Sequence, residues 1–203
     1  MKKLIYVLTA TAAMVFFAAE ADAQMGKKNY INGGWQFNGT VGSSFVESAQ
    51  GYGAYIEGGY YLTPMLAVGG FASFNTNNDY IPKQTYTFKD QSALTTDLDR
   101  SMYQVPFGAT LRVRFMRMEF QPYAEAKIGA EYSTQSTYMS TFVNRHDNWG
   151  FYMSPEIGFT YFPFEKTDLG FQLAVFYSFA TNRNTDYDIK GINNLGFKLG
   201  IAF

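Results

Sequence analysis

Cysteine is absent from all 203 residues. That removes disulfide frameworks, thiolate metal sites and thiol nucleophiles together. It says nothing of compartment, to which the N-terminus speaks directly. Histidine occurs once, at His146, which leaves little material for imidazole-based chemistry. Charge is scarce as well: Asp, Glu, Lys and Arg make up 16% of the chain, against about 25% in soluble domains. The formal net charge is -1 and there is no basic stripe, so nucleic acid is not an expected partner. Long apolar runs are missing after the first twenty or so residues, where a helical span would need about 20. Leu173–Ala180 is among the longest and Ser178 interrupts it. Beyond its N-terminus the chain is therefore not expected to cross a membrane as a helix.

Aromatics, by contrast, reach 19%, and there are 19 glycines. The length suits a single domain. At the N-terminus Lys2 and Lys3 precede an apolar stretch from Leu4 to Ala19, and Ala21-Asp22-Ala23 supplies small residues of the kind a signal peptidase reads. Residues 1–23 are expected to be a cleaved signal peptide, with residues 24–203 as the exported domain.

Period two dominates that domain. Trp35, Phe37, Val41 and Phe45 alternate with Gln36, Asn38, Thr40 and Ser44. Tyr103, Val105, Phe107, Ala109, Leu111, Val113 and Phe115 alternate with Gln104, Thr110, Arg112 and Arg114, among others. Phe120 to Tyr132 repeats the arrangement, with Gln121, Tyr123, Glu125, Lys127 and Glu131 on the polar face. Successive side chains of a strand point to opposite faces, so each segment has one apolar and one polar or small face. Further segments run over Met153–Tyr161 and Leu169–Tyr177, with Gly51–Leu62 and Met65–Phe74 joined by a tight turn at Thr63-Pro64. In Gly51–Leu62 either Tyr60 or Tyr61 could face outward. The last segment, Asn193–Phe203, brings the count to eight.

Eight such segments point to an all-β, eight-stranded antiparallel up-and-down barrel in the outer membrane. A tilted transmembrane strand needs about 9–11 residues, and most of the segments supply them. Connections near Thr63-Pro64, Met116–Met118 and Pro163–Thr167 are short. Asn75–Arg100, Ser133–Trp149 and Ala180–Ile192 are long and polar, and only Val46–Gln50 breaks the alternation. Short turns on one side and long loops on the other form the pattern of such barrels. Closure also gives every backbone polar group a partner, as lipid requires. Glu57, Arg112, Arg114, Glu125, Lys127, Glu131, Glu156 and Lys198 fall on the inward face. Their mixed sign predicts a charge-paired plug rather than a wide pore. A soluble, lipocalin-like barrel is the structural alternative and would reverse the facing.

Leu195, Phe197, Leu199, Ile201 and Phe203 alternate with Gly196, Lys198, Gly200 and Ala202 up to the last residue. This resembles the C-terminal strand of bacterial outer-membrane barrels, which the barrel-assembly machinery reads. Glu57-Gly58-Gly59-Tyr60-Tyr61-Leu62, leading to Leu66-Ala67-Val68-Gly69-Gly70, is similar to a hairpin of the small outer-membrane family that includes the OmpA transmembrane domain and OmpX. The resemblance implies outer-membrane lipid as the surroundings, a monomer, and no appended peptidoglycan-binding domain.

Chemical sites are poorly supported. His146 lies beside Asp147, with Ser133, Ser136 and Ser140 on the same segment, and some small outer-membrane enzymes that modify lipid A use a His near the outer face. A Ser–His arrangement needs hydrogen-bond reach, which sequence does not give. Asp97-Leu98-Asp99 lacks the spacing of a calcium loop, and Gly51-Tyr52-Gly53 lacks the helix and third glycine of a phosphate loop. No catalytic residue, metal ligand or cofactor is assigned. Aromatics fall into two expected interfacial girdles: Trp35, Tyr60, Phe115, Phe120, Tyr161 and Phe203, and Phe45, Phe74, Tyr103, Tyr132, Trp149 and Phe151. By resemblance the chain is expected to be a non-enzymatic envelope protein, serving membrane integrity or extracellular binding. Asn75–Arg100 is the candidate partner site, through a protruding strand pair at Thr85-Tyr86-Thr87-Phe88; a mobile polar loop is the competing reading. A narrow solute channel and a lipid A-modifying enzyme are the alternative functions.

Overall fold

The computed structural model describes residues 28–42, 51–87, 93–139, 142–164, 168–183 and 191–203. The expected signal peptide, together with Phe45, Val46–Gln50 and Ser140, lies outside them. Alternation of apolar and polar side chains leaves each segment one use, as a strand with two unlike faces. Eight form: β1 (Asn29–Thr40), β2 (Gly51–Tyr61), β3 (Leu66–Thr87), β4 (Ala93–Arg114), β5 (Phe120–Met139), β6 (Phe142–Tyr161), β7 (Gly170–Ala180) and β8 (Ile192–Ala202). Each pairs antiparallel with its sequence neighbours, and β1 pairs with β8, so the sheet closes into a barrel. The seam is sealed where Ile31 N–H donates to Phe203 O at 3.1 Å and Phe203 N–H to Ile31 O at 2.8 Å.

The facing of the side chains decides the solvent. Val175 and Ile157 point outward, 58% and 71% exposed, as do Phe107, Leu111, Phe171, Leu173, Phe197 and Leu199. Gln36, Glu57, Gln104, Arg112, Lys127, Glu156, Gln172 and Lys198 are buried inside. A barrel with its hydrocarbon outside and its charge inside is inverted relative to a lipocalin, and that alternative is set aside. In β2 Tyr61 is buried, on the same parity as Tyr55 and Glu57, so Tyr60 is the outward tyrosine.

Two expectations need correction. Ser133–Trp149 is mostly strand rather than loop, and Asn75–Arg100 is mostly the protruding strand pair rather than the mobile loop: β3 and β4 are each 22 residues long, β5 and β6 each 20. That is about twice what a membrane requires, so two hairpins stand beyond it. Trp35 is not at a strand end with Tyr60 and Phe203. It stands in the middle of β1, opposite Ala54 and Leu199.

Candidate functional site

All eight inward charges expected from the alternation are buried. Six form one cluster at mid-barrel. Glu57 on β2 receives Arg112 Nη2 and Lys127 Nζ, each at 2.5 Å, with Lys198 Nζ at 3.5 Å. Glu125, one ladder position across from Arg112, holds that guanidinium at 2.5 Å and Lys127 at 3.4 Å. Glu156 takes Lys127 and Lys198 at 2.7 Å each. Three carboxylates therefore face one guanidinium and two ammonium groups, and the charge balances within the lumen.

Neutral groups complete the layer. Tyr55 Oη donates to Gln172 Oε1 at 2.8 Å, and Gln172 Nε2 donates to Glu57 at 2.7 Å. Tyr123 Oη donates to Glu156 at 2.8 Å, and Thr110 donates to Glu125. The Arg112 guanidinium sits 4.0 Å from the ring centres of both Tyr30 and Tyr123. Gly200 leaves the room Tyr55 needs, since a Cβ there would meet its hydroxyl. Reading aromatics only as girdles missed Tyr55 and Phe176, which point inward. Their signal was parity: Tyr55 shares a face with Glu57, and Phe176 with Gln172. Glu57, Glu125 and Glu156 bring carboxylate oxygens within 4.8 Å of one another, but it is Arg112, Lys127 and Lys198 that occupy them.

Two inward charges depart from the expected pairing. Glu131 is buried with no hydrogen-bond partner on either carboxylate oxygen. Arg114 is bound by Gln121 Oε1 and Pro64 O, with no carboxylate of the described residues at ion-pair distance. The cause is position along the strand. Glu131 lies opposite Pro106 and Arg114 opposite Tyr123, so eight residues, roughly 27 Å at strand rise, separate them along the ladder. Each falls beyond an end of the central cluster.

The outer hairpins hold the other candidates. His146 is in β6, opposite Gln135, not in a loop. Asp147 faces the opposite way, as successive strand residues do, and accepts hydrogen bonds from Thr134 Oγ1 at 2.9 Å and Arg145 Nε at 3.1 Å. Shielding by its neighbours raises the Asp147 pKa, but these hydrogen bonds outweigh it and hold the carboxyl below its usual range. Ser133 Oγ accepts from Asn182 Nδ2 at 2.8 Å, and Ser136 lies opposite Arg145. Neither serine is assembled with His146 and Asp147 as a triad. Asp97 accepts from Tyr80 Oη at 3.2 Å, Asp99 lies opposite Tyr80 in the ladder, and Gly51-Tyr52-Gly53 opens β2.

A model of the family described as outer membrane protein beta-barrel domain matches residues 8–203. The chain belongs to that family. It is an integral outer-membrane barrel of bacteria, and the short turns at 62–65 and 115–119 accordingly mark its periplasmic end. Among solved structures it is similar to Neisserial surface protein A at 15% identity and a TM-score of 0.56, over 87% of this chain and 96% of that one. It is also similar to Ail, the attachment invasion locus protein of Yersinia pestis, at 14% identity and a TM-score of 0.50, over 86% and 97%. At such identities the likeness is one of fold. No match to a curated protein was found.

Proposed function

We propose that this barrel is a non-enzymatic, monomeric envelope protein that binds an extracellular partner through its outer hairpins. The observation that carries the reading is the length of β3 and β4, which pair beyond the membrane from Asn77↔Met102 to Thr87↔Ala93. Building a ladder this far into water has no use in anchoring. From Asn77 onward β3 continues its ladder with β4 past the last pair it makes with β2, Tyr52↔Thr76, and the edge of such a hairpin is the kind of surface to which a partner strand adds. Thr85 and Thr95 share a hydrogen bond at 2.8 Å across the hairpin, and Tyr80 is 62% exposed. Ail carries attachment in its name, which agrees with an adhesive role. The channel reading is disfavoured by the six-charge cluster across the lumen. The lipid A-modifying reading is disfavoured by the opposite facing of His146 and Asp147.

The test compares cells carrying the intact chain with cells in which residues 79–99 are replaced by a short turn. Adherence to cultured epithelial monolayers is measured, with heat-modifiable gel mobility as the control for folding. Loss of adherence with unchanged mobility is expected. Equal adherence by both strains would contradict the proposal. The residual barrel is expected to insert through the assembly machinery as before, since the C-terminal strand is untouched.

A further inference from the structure

Above the membrane, the outward side of the ladder carries a row of exposed side chains that lipid does not cover. Tyr80 on β3 lies opposite Asp99 on β4, and Asp99 lies opposite Tyr138 on β5, so the three stand side by side on one face. Neighbouring strands are about 4.8 Å apart, which puts the two tyrosine backbones about 10 Å from each other with Asp99 between them. All three are open to solvent, Tyr138 at 41% and Tyr80 more so. Tyr80 Oη donates to Asp97 Oδ2 at 3.2 Å, which lays its side chain diagonally across β4 on the face that Asp99 shares. The donor is neutral, so both carboxylates keep their charge. Nearby cations do not balance them. Arg145 is held by Asp147, and Arg100 points to the opposite face by parity. Among the described residues, Lys83 makes no ion pair with Asp97 or Asp99.

Neither anchoring in lipid nor closure of the barrel calls for two tyrosines around an uncompensated carboxylate in water. Resting on the reading of the outer hairpins as a binding surface, we propose that this face docks an arginine side chain of the partner protein. The guanidinium pairs with Asp99 and packs against the rings of Tyr80 and Tyr138. The charge of the row selects a cation. An exposed ion pair alone contributes little, but a cation against an aromatic ring gains a second attraction. The flat, weakly hydrated guanidinium stacks on a ring while its edge donors reach a carboxylate. Lysine, a compact and strongly hydrated ammonium, suits the row less well. Tyr80 is already held by Asp97, so little of its freedom is lost when the partner arrives.

The experiment uses the folded barrel in uncharged maltoside micelles. A capped glycine–arginine peptide is titrated at constant ionic strength, and NMR follows the amides of Tyr80, Asp99 and Tyr138. A saturable shift confined to this face is expected, with the matching glycine–lysine peptide binding more weakly. Asp99→Asn should weaken binding about tenfold, with heat-modifiable gel mobility confirming that the fold is kept. Tyr138→Leu retains an apolar side chain without the ring and should weaken it about threefold. A shift that never saturates, or that is the same in wild type and Asp99→Asn, would overturn the proposal. So would equal binding of the lysine peptide with Tyr138→Leu without effect, which would reduce the face to bare charge. Because the purified barrel is titrated, failure here is distinguishable from failure of the adherence assay, which uses cells and the hairpin replacement.

Discussion

Glu57 on β2 and Lys127 on β5 meet at 2.5 Å although β3 and β4 stand between their strands in the wall. The pair therefore crosses the lumen. Arg112 and Lys198 approach the same carboxylate from β4 and β8, so Glu57 ties together four strands that a ladder alone links only in sequence.

Removing that carboxylate should be costly. Glu57→Gln leaves Arg112, Lys127 and Lys198 with two carboxylates between them, in a space with little water. Breaking a buried ion pair by removing one partner destabilises by about 3–5 kcal/mol. Urea titration in lipid vesicles, read by heat-modifiable gel mobility, should show the midpoint falling accordingly.

The outward face obeys the opposite rule. Val175 is at the centre of β7 and 58% exposed, so Val175→Arg places a charge near the middle of the bilayer. A loss of about 2–4 kcal/mol is expected there. Thr85→Arg, on the outer hairpin, should change stability by no more than about 0.5 kcal/mol. The same unfolding assay reads both, and equal effects would mean that the membrane boundary is misplaced.

How much of this was legible in the sequence follows from the same two faces. Wherever a segment lies between lipid and lumen, alternation is enforced, and eight strands and eight inward charges could be read from it. Past the membrane that contrast ends. Asn75, Thr76, Asn77 and Asn78 continue β3, yet water on the outside no longer requires an apolar face, so the run reads as loop. Tyr60 and Tyr61 were ambiguous because the residue type is the same and only parity with Glu57 separates them. The cross-lumen partners were not legible at all. Which acid meets which base depends on ring closure and strand stagger, which bring Glu57 and Lys127 together from 70 residues apart.

A pH dependence is expected in the β5–β6 hairpin. Asp147 has a depressed pKa, so its ionised form favours the folded hairpin. That contribution is complete above the ordinary carboxylate range and is lost as pH falls through the lower, folded-state value. Amide protection factors near Thr134 and Arg145, taken relative to the intrinsic exchange rate at each pH, should fall at acid pH. Thr134→Val, which removes one of the hydrogen bonds, should bring the folded-state pKa closer to the ordinary one and so make this pH-dependent loss smaller.

The single histidine should be dispensable. Because Asp147 turns away from it and Ser133 is held by Asn182, His146→Ala is expected to leave the lipid A of the expressing strain unchanged by mass spectrometry. A species that vanishes with His146 would reinstate the enzymatic reading.

If the lumen is closed by its own charges and the barrel works from its outer hairpins, no solute path runs through it. Conductance across a planar bilayer tests this most directly. With the purified, folded chain inserted, no reproducible unitary current is expected at neutral pH and moderate salt. Stable, chain-dependent current steps under those conditions would contradict the claim and make the protein a channel.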